Sequence, residues 1–248
     1  MLMLLKLLEC RAVRLGLLLL VAFSCMRLSG SVLAGSFSVS PIRVTLSAGQ
    51  KIMALRVINS GATPVSIQLE LFSWMQEQGA DRYSPTNELL AMPPIFTVAP
   101  GESQVVRIGL RRAPDPQREL SYRLFLQELP APLPKGFQGL QVALRLGVPV
   151  FVTSSAPTAP QLQWRLRRTS KGLVLSTINQ GNAQGHVSGL QLLLRNGKIM
   201  TLQDPVYVLA GVRREWPLEG IVSLPIGELV ELSAKVNEKD VTSQLRVE

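Results

Sequence analysis

The chain has 248 residues, of which 17% are charged, 46% hydrophobic and 5% aromatic, and carries a formal net charge of +9. That length accommodates one large domain or two of about 100 residues. A basic balance invites a nucleic-acid reading, but Lys6, Arg11, Arg14 and Arg27 lie together in the first 34 residues against Glu9 alone. The remaining bases are scattered and form no run with aromatics interleaved, so no nucleic-acid partner is expected.

Residues 1–34 have the layout of a secretory signal peptide: a basic start, an apolar core from Leu15 to Phe23, and Val32-Leu33-Ala34 as small residues before a cut at Gly35. The apolar run is too short to span a bilayer as a helix, which needs about 20 residues, so no stable membrane insertion is expected. A lipoprotein signal ending at Cys25 fits less well, because Ala22 stands where a bulky aliphatic residue belongs. Cys10 and Cys25 both fall in the removed segment, leaving an exported chain without a disulfide or a thiol-based site.

The mature sequence opens with Phe37 and Val39, then Ile42, Val44 and Leu46, an alternation that changes phase at Ser40-Pro41, as a bulged or kinked strand does. Lys51–Ile58 and Val65–Trp74 are expected as strands, with a turn beginning at Asn59-Ser60-Gly61 and a polar loop over Gln76–Asn87. Ala91–Val98 reads as extended, Pro100-Gly101 as a tight turn, and Gln104–Leu110 and Leu120–Leu129 as strands about a Pro-broken loop. In Gln138–Val152 apolar residues occupy every second position: Leu140, Val142, Leu144, Leu146, Val148 and Val150. A period of two marks a strand with one face meant for burial. Pro149 assigns it to a sheet edge, since proline cannot donate to a ladder. A long apolar edge is an aggregation hazard. Keeping one points to an edge lent to another chain, against the alternative that its apolar face is ordinary core.

Thr153–Pro160 has linker composition. Leu162–Arg167, Gly172–Asn179, Gly189–Arg195, Val206–Leu209, Arg213–Leu218 and Leu229–Val236 again alternate in short segments. Short strands at this spacing, with no sustained helical period, describe an all-β chain of two tandem β-sandwich domains. The expected boundaries are a first domain at 35–153, a linker at 154–160 and a second domain at 161–248. His186 is the only histidine, so a His-based triad or metal cluster is ruled out by counting, and no glycine pattern between strand and helix offers a phosphate cradle. Trp74, Trp164 and Trp216 are read as packing residues. No catalytic chemistry, metal or cofactor is expected.

The order and spacing of several segments resemble the PapD-like periplasmic pilus chaperones, especially the archaic branch of the chaperone–usher pathway. They are Ser40-Pro-Ile-Arg-Val, Pro85-Thr with Glu88-Leu-Leu, Pro93-Pro-Ile-Phe with Pro100-Gly, Gln104-Val-Val-Arg-Ile, Ser121-Tyr-Arg-Leu with Glu128-Leu-Pro, and Leu140-Gln-Val-Ala-Leu running to Pro149-Val-Phe-Val. The resemblance implies two immunoglobulin-like domains in an L shape, a periplasmic location and a non-enzymatic role. That role is donor-strand complementation of pilin subunits that lack a strand, and their delivery to an outer-membrane usher. On that reading Leu140, Val142, Leu144 and Leu146 enter the subunit's groove, each burial contributing about 1.5–3 kcal/mol, and Phe37 and Val39 extend the apolar contact from the first strand. The better-known members anchor the subunit's C-terminal carboxylate with an Arg on the first strand, matched by Arg43, and a Lys on the last, where Pro149 stands. The candidate anchors are Arg123, which sits unusually among apolar neighbours, then Arg43, then Arg145. A free form that caps its own edge by dimerising stays open. So does the alternative of a secreted or surface adhesion module built from tandem immunoglobulin-like domains.

Overall fold

The computed structural model describes residues 37–248 apart from 131, 133–135, 137–139, 196, 203–204 and 219–223. The leader expected over residues 1–34, with both cysteines, lies outside the described residues, as do Gln138 and Gly139 of the alternating stretch.

All regular elements among the described residues are strands. The first ten are β1 (Phe37–Ser40), β2 (Val44–Leu46), β3 (Ile52–Asn59), β4 (Val65–Glu77), β5 (Ala80–Pro85), β6 (Leu89–Met92), β7 (Ile95–Val98), β8 (Ser103–Leu110), β9 (Leu120–Leu129) and β10 (Arg145–Val152). They form two facing sheets, one in the order β1-β3-β8-β6 and the other in the order β2-β10-β9-β4-β5, with β7 also paired to β4. The phase change read at Ser40-Pro41 is where the chain leaves the first sheet after β1 and enters the second as β2. The extended Ala91–Val98 segment divides in the same way: β6 joins the first sheet and β7 the second, with Pro93 and Pro94 at the crossing. Proline withdraws a backbone donor where neither ladder is available.

The remaining strands are β11 (Leu162–Thr169), β12 (Gly172–Asn179), β13 (Gly185–Leu193), β14 (Ile199–Leu202), β15 (Val206–Val208), β16 (Arg213–Leu218), β17 (Leu229–Val236) and β18 (Lys239–Arg246). They build a sheet β11-β12-β16 and a sheet β14-β13-β17-β18 with β15 also on β13. No sheet mixes strands from before and after residues 153–161, and Phe37–Glu248 forms one compact unit.

Two expectations need correction. The polar segment from Gln76 to Asn87 is not a loop: β4 runs to Glu77 and turns through Gln78 and Gly79, both at positive φ (51° and 80°), into β5. Positive φ at both central residues matches the twist of the flanking strands, so a hairpin forms despite the polar composition. The alternating stretch is also a strand only from Arg145 onward.

Each sandwich closes on alternating apolar residues. Leu55, Val57, Val106 and Ile108 from the first sheet meet Leu124, Leu126, Val148 and Val150 from the second, all at most 2% exposed. Leu166, Leu175, Leu192 and Leu232 do the same in the second sandwich. One polar residue is fully buried at the matching corner of each. Asn59 donates from Nδ2 to the carbonyls of Thr63 and Val98 (2.8 and 3.0 Å) and accepts the Gly61 N–H (2.9 Å). Asn179 does the same with Ala183, Val208 and Gly181 (2.7, 2.9 and 3.0 Å). Buried amides persist only when their hydrogen bonds are met. Here one side chain closes a turn and pins a second strand to it.

The two sandwiches meet at an aromatic joint. Trp74, Phe151 and Leu209 are buried together, with Tyr83, Tyr207 and Val212 packed around them. The Gln76 amide reaches across like a ladder rung, accepting the Leu209 N–H and donating to the Tyr207 carbonyl, both at 3.0 Å. A second strap joins the loop before β9 to the turn before β13. The Glu119 N–H donates to the Asn182 carbonyl (2.9 Å), and its carboxylate accepts the Gln184 N–H (3.0 Å). The connecting segment lies against that same turn: a Cβ on Gly181 would come within 2.1 Å of the Ala159 carbonyl oxygen, so only glycine fits there.

Candidate functional site

β10 pairs with β9 along its whole length, from Arg145↔Gln127 to Val152↔Leu120, but with β2 only over Val150–Val152, in parallel. Over Arg145–Pro149 its other flank carries no strand among the described residues. The edge that Pro149 predicts is therefore real but partial, open at the start of the strand and covered at its end. The chain just before it is clasped by Glu128. Glu128 takes the Leu144 N–H on its carboxylate (2.9 Å), while its own backbone N–H donates to the Leu144 carbonyl (2.9 Å).

The four alternating residues divide. Leu144 and Leu146 are half-buried against the first core, in line with Val148 and Val150. Leu140 and Val142 are 87% and 68% exposed, among the most exposed large apolar side chains described. On the first strand Phe37 is a core residue and Val39 packs half-buried against that core. β1 sits at the other sheet's edge, paired only with β3.

The three candidate arginines occupy different settings. Arg145 is engaged: it pairs with Glu70 at 3.1 Å, and its guanidinium lies 4.0 Å from the centre of the Phe125 ring. Arg43 is exposed between β1 and β2, near enough to Glu119 and His186 to lower the pKa of each. Arg123 stands in β9 opposite Pro149 and Phe72, half-buried, with its guanidinium 4.5 Å over the Trp74 ring and its Nε buried without a partner. The glycine on β10 makes this placement achievable. A Cβ on Gly147 would fall 3.0 Å from the Phe125 ring and 3.4 Å from Arg123 Nε.

Electrostatics separate this face from the joint behind it. Burial pushes the Glu119 carboxyl up to about 7, opposed by the Gln184 N–H and by Arg43. The Tyr122 hydroxyl points away from Arg123 and donates to Glu88 at 2.5 Å. That bond, with Arg112 on the other oxygen, holds Glu88 below the usual carboxylate range, while burial and the Glu88 charge push the Tyr122 hydroxyl up. Glu88 and Tyr122, quoted above only as motif residues, thus lock the loop ahead of β6 to β9.

Sequence reasoning missed what lies opposite Arg123. A cavity of about 390 Å³ opens between the sandwiches, walled by Trp74, Asp81, Arg123, Tyr207, Arg214 and Trp216 among others. The signal was faint: Arg214 is one of two adjacent arginines on a strand read only as alternating.

Residues 36–157 match the family described as pili and flagellar-assembly chaperone, PapD N-terminal domain. That stretch belongs to this family, and the chain as a whole has the fold of the PapD-like chaperones. No curated protein matches the chain closely enough to serve as a relative. Among solved structures, the chaperone–tip adhesion subunit pre-assembly complex CsuC–CsuE from the archaic Csu pili of Acinetobacter baumannii is similar at 21% identity and a TM-score of 0.65, over 86% of this chain and 99% of that one. The Salmonella enterica SafA pilin–SafB chaperone complex follows at 16% identity and 0.62, over 86% and 98%. The E. coli chaperone DraB gives 21% and 0.58, over 86% and 96%.

Proposed function

We propose that the protein is a periplasmic chaperone, exported by removal of residues 1–34, which completes pilin subunits by lending them β10 and the segment before it, and passes them to an outer-membrane usher. Its working parts are a subunit-binding domain at 35–153, a linker at 154–160 and a second domain at 161–248. The observation that carries this reading is the edge itself. Leu140 and Val142 stand exposed, alternating in sequence with Leu144 and Leu146, directly ahead of a strand whose outer flank is open over Arg145–Pro149 among the described residues. An incomplete subunit needs backbone partners for an unpaired edge and apolar side chains at alternate positions for its groove, and this stretch supplies both. Leu144 and Leu146 would then bridge the two cores, with Val39 extending the contact. Arg123, opposite Pro149 where the open flank ends and holding an unpartnered donor, is the first candidate for the subunit's terminal carboxylate. Arg145 ranks behind it because it already pairs with Glu70, and Arg43 because it stands exposed between β1 and β2.

Co-expression with pilin-like proteins in the periplasm, followed by affinity purification, tests this. Wild type is expected to bring down a small β subunit in equal amount. Val142→Asp should lose it while folding normally, since Val142 is exposed and its charge would enter the groove unpaired. Undiminished recovery with Val142→Asp would defeat strand donation. The absence of any β partner would move the assignment to a tandem immunoglobulin-like adhesion module.

A further inference from the structure

On the face of β10 turned away from the core, alternate positions are Arg145, Gly147, Pro149 and Phe151. Phe151 is buried in the aromatic joint and Gly147 has no side chain, so at the start of the strand that face depends on Arg145. The Arg145 side chain does not follow the open flank. It turns back over β9 and reaches Glu70 on β4, Nη2 donating to Oε2 at 3.1 Å, with the guanidinium 4.0 Å from the centre of the Phe125 ring on the way. Glu70, Phe125 and Gly147 stand in one cross-strand row, so the arginine lies diagonally across it and ties β10 to β4. The ring beneath the guanidinium is fixed edge-on by Phe72 at 5.6 Å and by Tyr83 at 5.3 Å. Gly147 leaves room for it, since a Cβ there would fall 3.0 Å from the ring.

We propose that Glu70 and Phe125 are positioning residues for strand donation, acting through Arg145: they seat the first residue of β10 so that Leu140–Leu144 leaves the sheet already aligned for a subunit's groove. The inference rests on the chaperone reading and deepens it. Both partners of the ion pair are more than a third exposed, and such pairs and exposed cation–π contacts add little to stability. The contribution of this cradle is geometric. A planar guanidinium stacked on a ring and bonded at its edge has one orientation, which a flexible ammonium lacks. Leu146 packs the inner face on the core, β9 holds the backbone and Arg145 closes the outer face, so the start of the strand is fixed from three sides. Leu140 and Val142, exposed just upstream, take their direction from it. A segment aligned only part of the time binds with an affinity reduced by that fraction, and ordering it beforehand removes the reduction.

The test has two readouts. In ¹⁵N-labelled protein purified from the periplasm, order parameters of the Ala143 and Leu144 amides should stay above about 0.6 in wild type and fall below it in Arg145→Gln and in Glu70→Gln. Arg145→Lys should recover part of the order, and the double variant should lose no more than Arg145→Gln alone. Arg167→Gln, which breaks the comparable exposed pair with Glu215 in the second sandwich, should change nothing. Thermal midpoints should agree throughout within about 2 °C. In the second readout, differently tagged wild type and variant compete in one periplasm for a limiting amount of the subunit recovered by co-expression. Arg145→Gln and Glu70→Gln should be under-represented about threefold or more in the recovered complexes, with Arg145→Lys between them and wild type. Unchanged order parameters, additive losses in the double variant, or equal competition despite a loosened segment would each overturn the proposal. So would midpoints that fall in step with capture, which would make the pair a stability contact. Val142→Asp separates the two layers. If it loses the subunit while Glu70→Gln competes equally, strand donation stands and the positioning role falls. If wild type recovers no subunit, the chaperone reading falls and the positioning role with it.

Discussion

At the scale of single residues, the buried asparagines carry more than their polarity advertises. Asn59 satisfies two carbonyls and one N–H: the Val98 carbonyl is buried, and the Thr63 carbonyl and Gly61 N–H are part-buried. Asn59→Ala should therefore lower stability by about 3 kcal/mol, more than an apolar truncation of the same size, because the partners stay behind unpaired. Urea unfolding of the variant measures this, and a loss below about 1 kcal/mol would show that the turn reorganises around the gap. The sequence announced a turn at Asn59-Ser60-Gly61 but not the plug, since the second acceptor, Val98, lies 39 residues away. Arg123 was legible for the opposite reason: a charge among Tyr122, Leu124 and Phe125 breaks the local pattern. Arg214 breaks none, so only the folded chain brings it opposite Arg123.

At the scale of elements, strand identity was legible wherever one face is buried and the other wet, as in β3, β8 and β9. It was not legible in β5, whose burial is slight on both faces and whose formation depends on the backbone geometry of Gln78 and Gly79. The alternating stretch shows a third case. Its period of two continues back to Leu140, but a strand needs a partner as well as a pattern, and the ladder with β9 stops at Arg145↔Gln127. Beyond that point Glu128 clasps Leu144 through its carboxylate and its own backbone N–H. Glu128→Ala should leave the global unfolding midpoint nearly unchanged while the Leu144 amide, having lost its carboxylate acceptor, exchanges at least about tenfold faster. Native-state hydrogen exchange reads this directly. Unchanged exchange at Leu144 would mean that the backbone ladder alone holds the segment.

At the scale of the whole molecule, the joint couples the sandwiches through a group that titrates near neutrality. Glu119 has its carboxyl raised from 4.5 to about 7, so between those values the folded protein holds a proton that the unfolded chain has released. The stability this group contributes is complete below that window and is lost as the pH rises through it. Glu119→Gln removes the titration, so the stability of wild type relative to the variant should fall between pH 5 and pH 8. His186, whose pKa is lowered by burial and by Arg43, acts with the opposite sign but is present in both proteins and cancels in the comparison. Urea midpoints at the two pH values decide the matter, and a difference independent of pH would detach Glu119 from the joint's energetics. The all-β, two-sandwich plan was legible because it rests on periodicity and turn chemistry. The joint was not, because Trp74, Gln76, Glu119 and Tyr207 acquire their roles only from residues more than 60 positions distant in the chain.

The uneven cover of β10 has a mechanical consequence. A guest strand laid along its open flank would be gripped between a firm end, where β2 and the aromatic joint back the strand at Val150–Val152, and a soft end beyond the ladder with β9, where Glu128 clasps Leu144. Force applied at the soft end loads the hydrogen bonds one at a time, as in peeling tape, whereas force at the firm end would load them together in shear. A partner that takes the guest away from the Leu140 side therefore meets a series of small barriers instead of one large one. On the strand-donation reading, a guest would be held by the whole strand at rest and still leave over small successive barriers, the net free energy of release being supplied by whatever takes the guest up.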